Sequence, residues 1–196
     1  MLQHPRFKII LASRSPRRQE LIRGLELPYE VFSFDTDESF PPELKAGEIA
    51  LFLAEKKAKA FPETLHENEL LLTADTIVWV NGHVLNKPAD EKESFNMIRE
   101  ICGTTHEVFT GVCFEFVKEG KLQLHSFVER STVTCRLLTD EEIMHYINSY
   151  KPFDKAGSYG IQDWFGYTAV ESIEGCFYNV MGLPISRVYK ELKLIS

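Results

Sequence analysis

The run Leu70-Leu71-Leu72-Thr73-Ala74-Asp75-Thr76-Ile77-Val78-Trp79-Val80 is nearly all apolar, yet a carboxylate sits in its middle. Its composition reads as a β-strand. Asn81-Gly82 behind it is a strong hairpin turn, and Lys87-Pro88 closes the return strand. An unpaired carboxylate in a sheet core costs several kcal/mol. Asp75 therefore has a dedicated partner or faces a cleft, and it is the leading catalytic candidate.

A second constraint lies upstream, in ILASRSPRRQELIRGL from Ile10 to Leu25. An apolar run leads into a tight loop and an amphipathic segment, giving strand, loop and helix. Ser15 is a natural N-cap, and Pro16 fits the first helical position, where its missing N–H costs nothing. Gly24 is expected to supply the left-handed residue that ends the helix. Arg17 and Arg18 fall in the first turn, where the helix dipole already disfavours cations. Three arginines and two hydroxyls around a helix N-terminus suit a bound anion, the alternative being arginines that simply face water. No Walker A motif occurs in the chain.

Further along, Pro28–Phe34 alternates like a strand, and Asp35-Thr36-Asp37-Glu38-Ser39 follows as an acidic loop. Such a loop is either a solvated turn or a source of Asp37 or Glu38 for a hard cation such as Mg²⁺. Glu48–Phe61 is helical, stopped by Pro62. Ile49, Phe52, Leu53 and Ala60 fall in one apolar arc, and Lys56 lies over Ile49. Lys56 either snorkels to water or reaches into an anion pocket. Asp90 and Glu93 suggest a capping box for a helix that Gly103 ends. His106–Val117 and Leu122–Leu137 read as two long strands, with His106 and His125 as packing residues. Thr139 caps a helix to about Tyr150, and Pro152–Gln162 forms a loop with two glycines, Lys155 and Gln162. A strand around Tyr167–Ile173, a turn at Glu174-Gly175 and a helix from Pro184 to Leu192 complete the chain.

At 196 residues the chain is long enough for one good core. No repeat or long linker divides it, so 1–196 is expected to be a single domain. A net charge of −7 argues against broad nucleic-acid binding but leaves room for a small anion in a local basic pocket. Cys102, Cys113, Cys135 and Cys176 are too widely spaced for a zinc site or a disulfide framework, which suggests a reducing cytosol. Ile9–Ala12 is too short for a signal-peptide core, and no stretch approaches a membrane span.

Arg17, Arg18, Lys56, Lys87 and Lys155 are thus candidates for holding negative charge, with Asp75, Asp37 and Glu38 for metal binding or proton transfer. No Ser-His-Asp or Cys-His set is legible. The balance suits hydrolysis at phosphorus, where cations hold phosphates and a carboxylate-bound metal helps activate water.

Ser13-Arg14-Ser15-Pro16-Arg17-Arg18-Gln19-Glu20-Leu21 resembles the signature of the Maf family of nucleoside triphosphate pyrophosphatases. Ala74-Asp75-Thr76, Lys87-Pro88, Gly103–His106, Asp154-Lys155-Ala156-Gly157, Tyr159-Gly160-Ile161-Gln162 and Gly182-Leu183-Pro184 resemble its further motifs in order. The resemblance covers essentially the whole chain. It implies an α/β, inosine-triphosphatase-like fold, with a long mixed sheet flanked by helices and two lobes around a central cleft. The implied reaction is cleavage of a nucleoside triphosphate to monophosphate and pyrophosphate with a divalent metal, Mg²⁺ or Mn²⁺.

By motif position the resemblance makes Asp75 the proton acceptor, and Arg17, Thr76 and Gln162 the residues marking a dTTP/UTP preference. Ser13, Arg18, Glu38, Lys56, Lys87 and Lys155 fall where the family builds its phosphate and metal site, Asp75 and Glu38 being the metal ligands. A homodimer in the cytoplasm, with no nucleic-acid or membrane partner, is implied as well. Two departures matter. Cys102 and Cys176 stand where the family often has Ser, and Asp163-Trp164-Phe165 follows Gln162 where glycine is common. The aromatic pair is therefore expected to bear on the base pocket. Alternative readings are a pyrophosphatase for 7-methyl-GTP or another non-standard nucleotide, and a nucleotide-binding regulator of septum formation with little turnover. Asp75 discriminates against the regulator, since a pure binder needs no carboxylate in an apolar strand.

Overall fold

Residues 70–80 form the axis of the sheet. The structure, a computed structural model, describes residues 6–195. β3 (Glu69–Val80) lies at the centre of a seven-stranded mixed sheet whose order is β2-β1-β3-β5-β6-β7. β1 (Lys8–Ala12) runs parallel to both β2 (Tyr29–Phe32) and β3. β5 (Thr105–Lys118), β6 (Lys121–Cys135) and β7 (Val170–Glu174) continue the sheet in antiparallel pairs. The mixed α/β architecture expected from the sequence is the one observed.

One edge of β3 is shared by two short partners. β1 pairs with Glu69–Leu72, and β4 (His83–Leu85) pairs with Val78–Val80 across the Asn81-Gly82 turn. Between them that edge has no strand partner along residues 73–77, so the gap opens beside Asp75 and Thr76. Successive side chains point to opposite faces of a strand. A cleft at this gap therefore reaches Asp75 on one face and Thr76 on the other.

Helix α2 (Gly47–Lys59) covers the Asp75 face. It seats there because Gly111, the register partner of Asp75 on β5, carries no side chain. A Cβ at Gly111 would stand 2.2 Å from the Ala50 carbonyl oxygen. Ala50 and Ala54 keep the helix close, and Thr73 Oγ1 donates to the Ala54 carbonyl at 2.7 Å.

Two core clusters share the opposite face. One lies under α1 (Pro16–Arg23) and α7 (Ile185–Ile195), and includes Leu70, Leu72, Phe114 and Val188. The other lies under α3 (Glu91–Ile101), α4 (Asp140–Tyr150) and α5 (Trp164–Thr168), and includes Val78, Ile98, Ile147 and Phe165. These are the two lobes, and the gap in β3 lies between them. α6 (Phe177–Met181) lies against β5 and β6, and its Asn179 amide donates to Val108 O and Ser131 Oγ.

The local differences from expectation have physical causes. Ser15 caps α1 as expected, but Gly24 is right-handed (φ −64°) and Glu26 takes the left-handed conformation at φ 55°. The expected strand at Tyr167–Ile173 begins only at Val170, because Asp163 caps the short α5 through the Phe165 N–H. Replacing Gly111 by Ala should push α2 off the sheet. Urea unfolding should show a loss of about 2 kcal/mol or more, the range for overpacking against backbone.

Candidate active site

A cleft of about 640 Å³ opens between the lobes, lined from both sides of the β3 gap. Six cationic side chains line it, Arg14, Arg17, Arg18, Lys57, Lys87 and Lys155, against the carboxylates of Asp35, Glu38, Asp75 and Asp154. In a protein of net charge −7 this local excess of positive charge marks an anion site.

Asp75 is buried and has the dedicated partner its position demands. Lys57 Nζ donates to Asp75 Oδ1 at 2.5 Å and to Glu38 Oε1 at 2.9 Å. Two carboxylates thus converge on one cationic point. Lys87 reaches Glu38 from the far side at 3.2 Å. Burial alone would raise the Glu38 pKa, but Lys57 and Lys87 outweigh it and the net shift is downward.

The lysine at this point is Lys57, not Lys56. The buried stripe of α2 is Ile49, Ala50, Leu53, Ala54 and Ala58, whereas Phe52 is half-buried and Ala60 exposed. Lys57 follows Ala50, Leu53 and Ala54 at heptad spacing, on the face toward the sheet. Lys56 points away and secures the acidic loop instead. Its Nζ donates to Asp37 Oδ2 at 2.8 Å and to the Ser39 carbonyl at 2.8 Å. Lys56 and Ser39 hold the Asp37 carboxyl well below the usual range, and Glu38 is the member of that loop left facing the cleft.

Arg17 and Arg18 diverge after the N-cap. Arg17 reaches Asp154 Oδ2 at 3.1 Å, and Lys155 meets the other oxygen of the same carboxylate at 2.7 Å. Cations from the two lobes therefore share one anion at the cleft mouth. Arg18 is consumed by the protein itself. Its guanidinium donates to Gly182 O at 2.7 Å, Ala74 O at 2.8 Å and Thr76 Oγ1 at 2.9 Å. The Ala74 carbonyl lies in the β3 gap, so Arg18 closes a backbone acceptor that no strand reaches. Burial pushes the Arg18 pKa down and Asp75 opposes that shift. Thr76 Oγ1 continues the network to Thr110 Oγ1 at 2.9 Å. Ser13 lines the cleft beside them, its Oγ accepting from the Ser15 N–H at 3.2 Å.

Uncharged side chains complete the lining, among them Val78, Val108, Ala156, Tyr159 and Gln162. The Gln162 amide oxygen is buried and has no hydrogen-bond partner among the described residues. Tyr159 is fixed from behind by His106, whose Nε2 is 2.7 Å from its hydroxyl. Burial pushes the His106 pKa down to about 4, so the ring is neutral at pH 7. His106 is a packing residue, as expected.

Comparison with known proteins now bears on this geometry. The Maf-like protein family model matches residues 8–195. The chain belongs to the Maf family. The dTTP/UTP pyrophosphatase of Flavobacterium johnsoniae is 51% identical over 187 residues, covering 95% of this chain and 94% of that protein. That of Phocaeicola vulgatus is 50% identical, covering 96% of each. Among solved structures, the Ham1 protein of Staphylococcus aureus aligns with 65% of this chain and 71% of its own, at 16% identity and a TM-score of 0.40. A likeness that loose carries no argument.

Within this Maf chain the departure after Gln162 points inward. Phe165 is fully buried against Tyr146 and Tyr159, and Trp164 stacks on Tyr146. Neither ring lines the cleft, so the aromatic pair thickens the core behind Tyr159. Lys57→Ala should abolish turnover by uncoupling Glu38 from Asp75, while Lys56→Ala should stay within about fivefold of wild type. Steady-state kinetics of the two variants measures the difference.

Proposed function

We propose that this protein hydrolyses dTTP and UTP to the monophosphate and pyrophosphate, with Asp75 as the general base. The observation that carries the reading is Asp75 held by Lys57 at the open edge of β3, in a cleft lined by six cationic side chains. The names of the relatives at 51% and 50% identity support the reaction and the bases.

The roles follow from placement. Arg17, Lys87 and Lys155 exchange their exposed carboxylate partners for the triphosphate, a cheap exchange because such pairs contribute about 0–1 kcal/mol each. A water held by the Asp75 carboxylate gives it a proton as its oxygen attacks the α-phosphorus. The α–β anhydride bond breaks, and pyrophosphate leaves with the bridging oxygen. Positioning and charge neutralisation carry most of such catalysis. Ser13 and the α1 N-terminus border the phosphate end. Arg18 and Thr76 form the frame that fixes α1 against β3.

Selectivity for thymine and uracil is assigned to Gln162. Gln162 lines the cleft, and its amide offers an acceptor for the N3–H that both bases carry and cytosine lacks.

Asp75 and Glu38 fit a divalent metal, because their oxygens already converge on one cation, the Lys57 ammonium. Among the described residues no group of three or more His, Cys, Asp and Glu side chains is disposed to hold a metal. A two-carboxylate set suits Mg²⁺ or Mn²⁺, which take their other ligands from phosphates and water. When bound, the metal would neutralise phosphate charge and lower the pKa of a coordinated water. A cytoplasmic homodimer completes the proposal on the strength of the family resemblance, and the four free cysteines agree with a reducing compartment. Among the described residues no helix is long and apolar enough to cross a membrane.

Pyrophosphate release from a nucleotide panel, with and without Mg²⁺ or Mn²⁺, tests the reading. Metal-stimulated turnover of dTTP and UTP should fall about 10³-fold in Asp75→Asn. Activity surviving that substitution moves the base elsewhere, with Glu38 next in line. Preference for 7-methyl-GTP overturns the assigned bases. Tight nucleotide binding without turnover favours the regulator.

A further inference from the structure

The residue after Gln162 is an aspartate where glycine is common in the family, and the structure gives that aspartate a specific task. Asp163 Oδ2 accepts the Tyr146 hydroxyl hydrogen at 3.0 Å, and the Tyr146 oxygen accepts the Gly160 N–H at 3.0 Å. Tyr146 is fully buried on α4, in the core cluster under α3, α4 and α5. A hydroxyl there donates once and accepts once, so its two bonds define a single geometry. They tie the backbone of the base end to a rigid helix.

The surrounding contacts leave the segment little freedom. A Cβ at Gly160 would stand 2.4 Å from Asp163 Oδ2, and one at Gly166 would stand 1.7 Å from the Ile161 carbonyl oxygen. Ser158 holds φ at 58°, where L residues are strained, and its hydroxyl pairs with Ser94 Oγ at 2.6 Å inside the core. Asp163 Oδ1 also accepts the Phe165 N–H at 3.3 Å and starts α5. Gln162 sits between these two fixed neighbours, and its own amide oxygen is the buried acceptor left unpaired. Each bond is made on the core side, none to the cleft.

We propose that Tyr146 and Asp163 are positioning residues for base selectivity, holding Gly160–Gln162 so that the Gln162 side chain lines the cleft where the nucleobase binds. The inference rests on the reading of Gln162 as the base-facing residue. It assigns the discrimination in this chain to a tyrosine–aspartate pair that touches neither substrate nor metal.

The test compares dTTP, UTP and CTP kinetics of the full chain with those of Tyr146→Phe, Asp163→Gly and Asp163→Asn. Tyr146→Phe keeps the ring and its stacking and removes only the hydroxyl. Asp163→Gly removes both carboxylate bonds at once, to Tyr146 and to the start of α5, while Tyr146→Phe leaves the α5 cap intact. Both should raise KM for dTTP about tenfold while kcat stays within about twofold, and both should erode the preference for dTTP over CTP. Asp163→Asn, which retains an acceptor for the tyrosine hydroxyl, should keep the preference. A purely structural role would lower thermal stability and the amount of active enzyme without moving the dTTP-to-CTP ratio. An unchanged ratio in a folded Tyr146→Phe or Asp163→Gly variant overturns the inference and leaves the proposed reaction standing. A wild-type protein that turns over neither dTTP nor UTP overturns the reaction and the inference together.

Discussion

The ion pair between Asp75 and Lys57 is the interaction on which the rest of the structure depends. A carboxylate in the middle of a buried strand is tolerable only when a partner meets it there. That partner comes from α2, and α2 reaches the sheet only because Gly111 leaves room for the backbone at Ala50. The same ammonium also holds Glu38, so the acidic loop is drawn to the strand. The pair therefore joins fold to site: α2 is seated by its apolar face and the acidic loop is secured by Lys56, and the Lys57 ammonium brings Glu38 of that loop to Asp75 of the strand.

The opening of β3 between β1 and β4 gives the contact its use. In a continuously paired strand Asp75 and Thr76 would face separate compartments. The gap brings them into one cleft, where Arg18 caps the freed Ala74 carbonyl and locks α1 across the break. The helix that carries Arg17 is thereby tied to the strand that carries Asp75. Ligand crevices in α/β sheets commonly form where strand connectivity changes in this way.

Much of this was legible in the sequence, and the exceptions have particular causes. Asp75 stood out because a charge interrupts an apolar run, and Ser15-Pro16 marked the start of α1 by its capping chemistry. The long strands and the Thr139 cap followed the same local rules. The lysine was placed one residue early because the anchoring positions of α2 are alanines, which barely register in an apolar arc, whereas Phe52 registers strongly and is only half-buried. The roles of Arg18, Gly111 and Tyr146 depend on partners 14 or more residues away, or on close approach of backbone. No local pattern carries that information. Tyr146 had a faint signal in the aspartate that follows Gln162, where its partner lies.

The most direct measurement is a crystal structure of the protein with Mg²⁺ and an analogue of dTTP whose α–β bridge is an imido group. The account predicts the base against the Gln162 amide, phosphates drawing Arg17 and Lys155 away from Asp154, and a water within about 3 Å of the Asp75 carboxylate facing the α-phosphorus. A triphosphate bound with its α-phosphorus remote from Asp75, or a base seated away from Gln162, would contradict it.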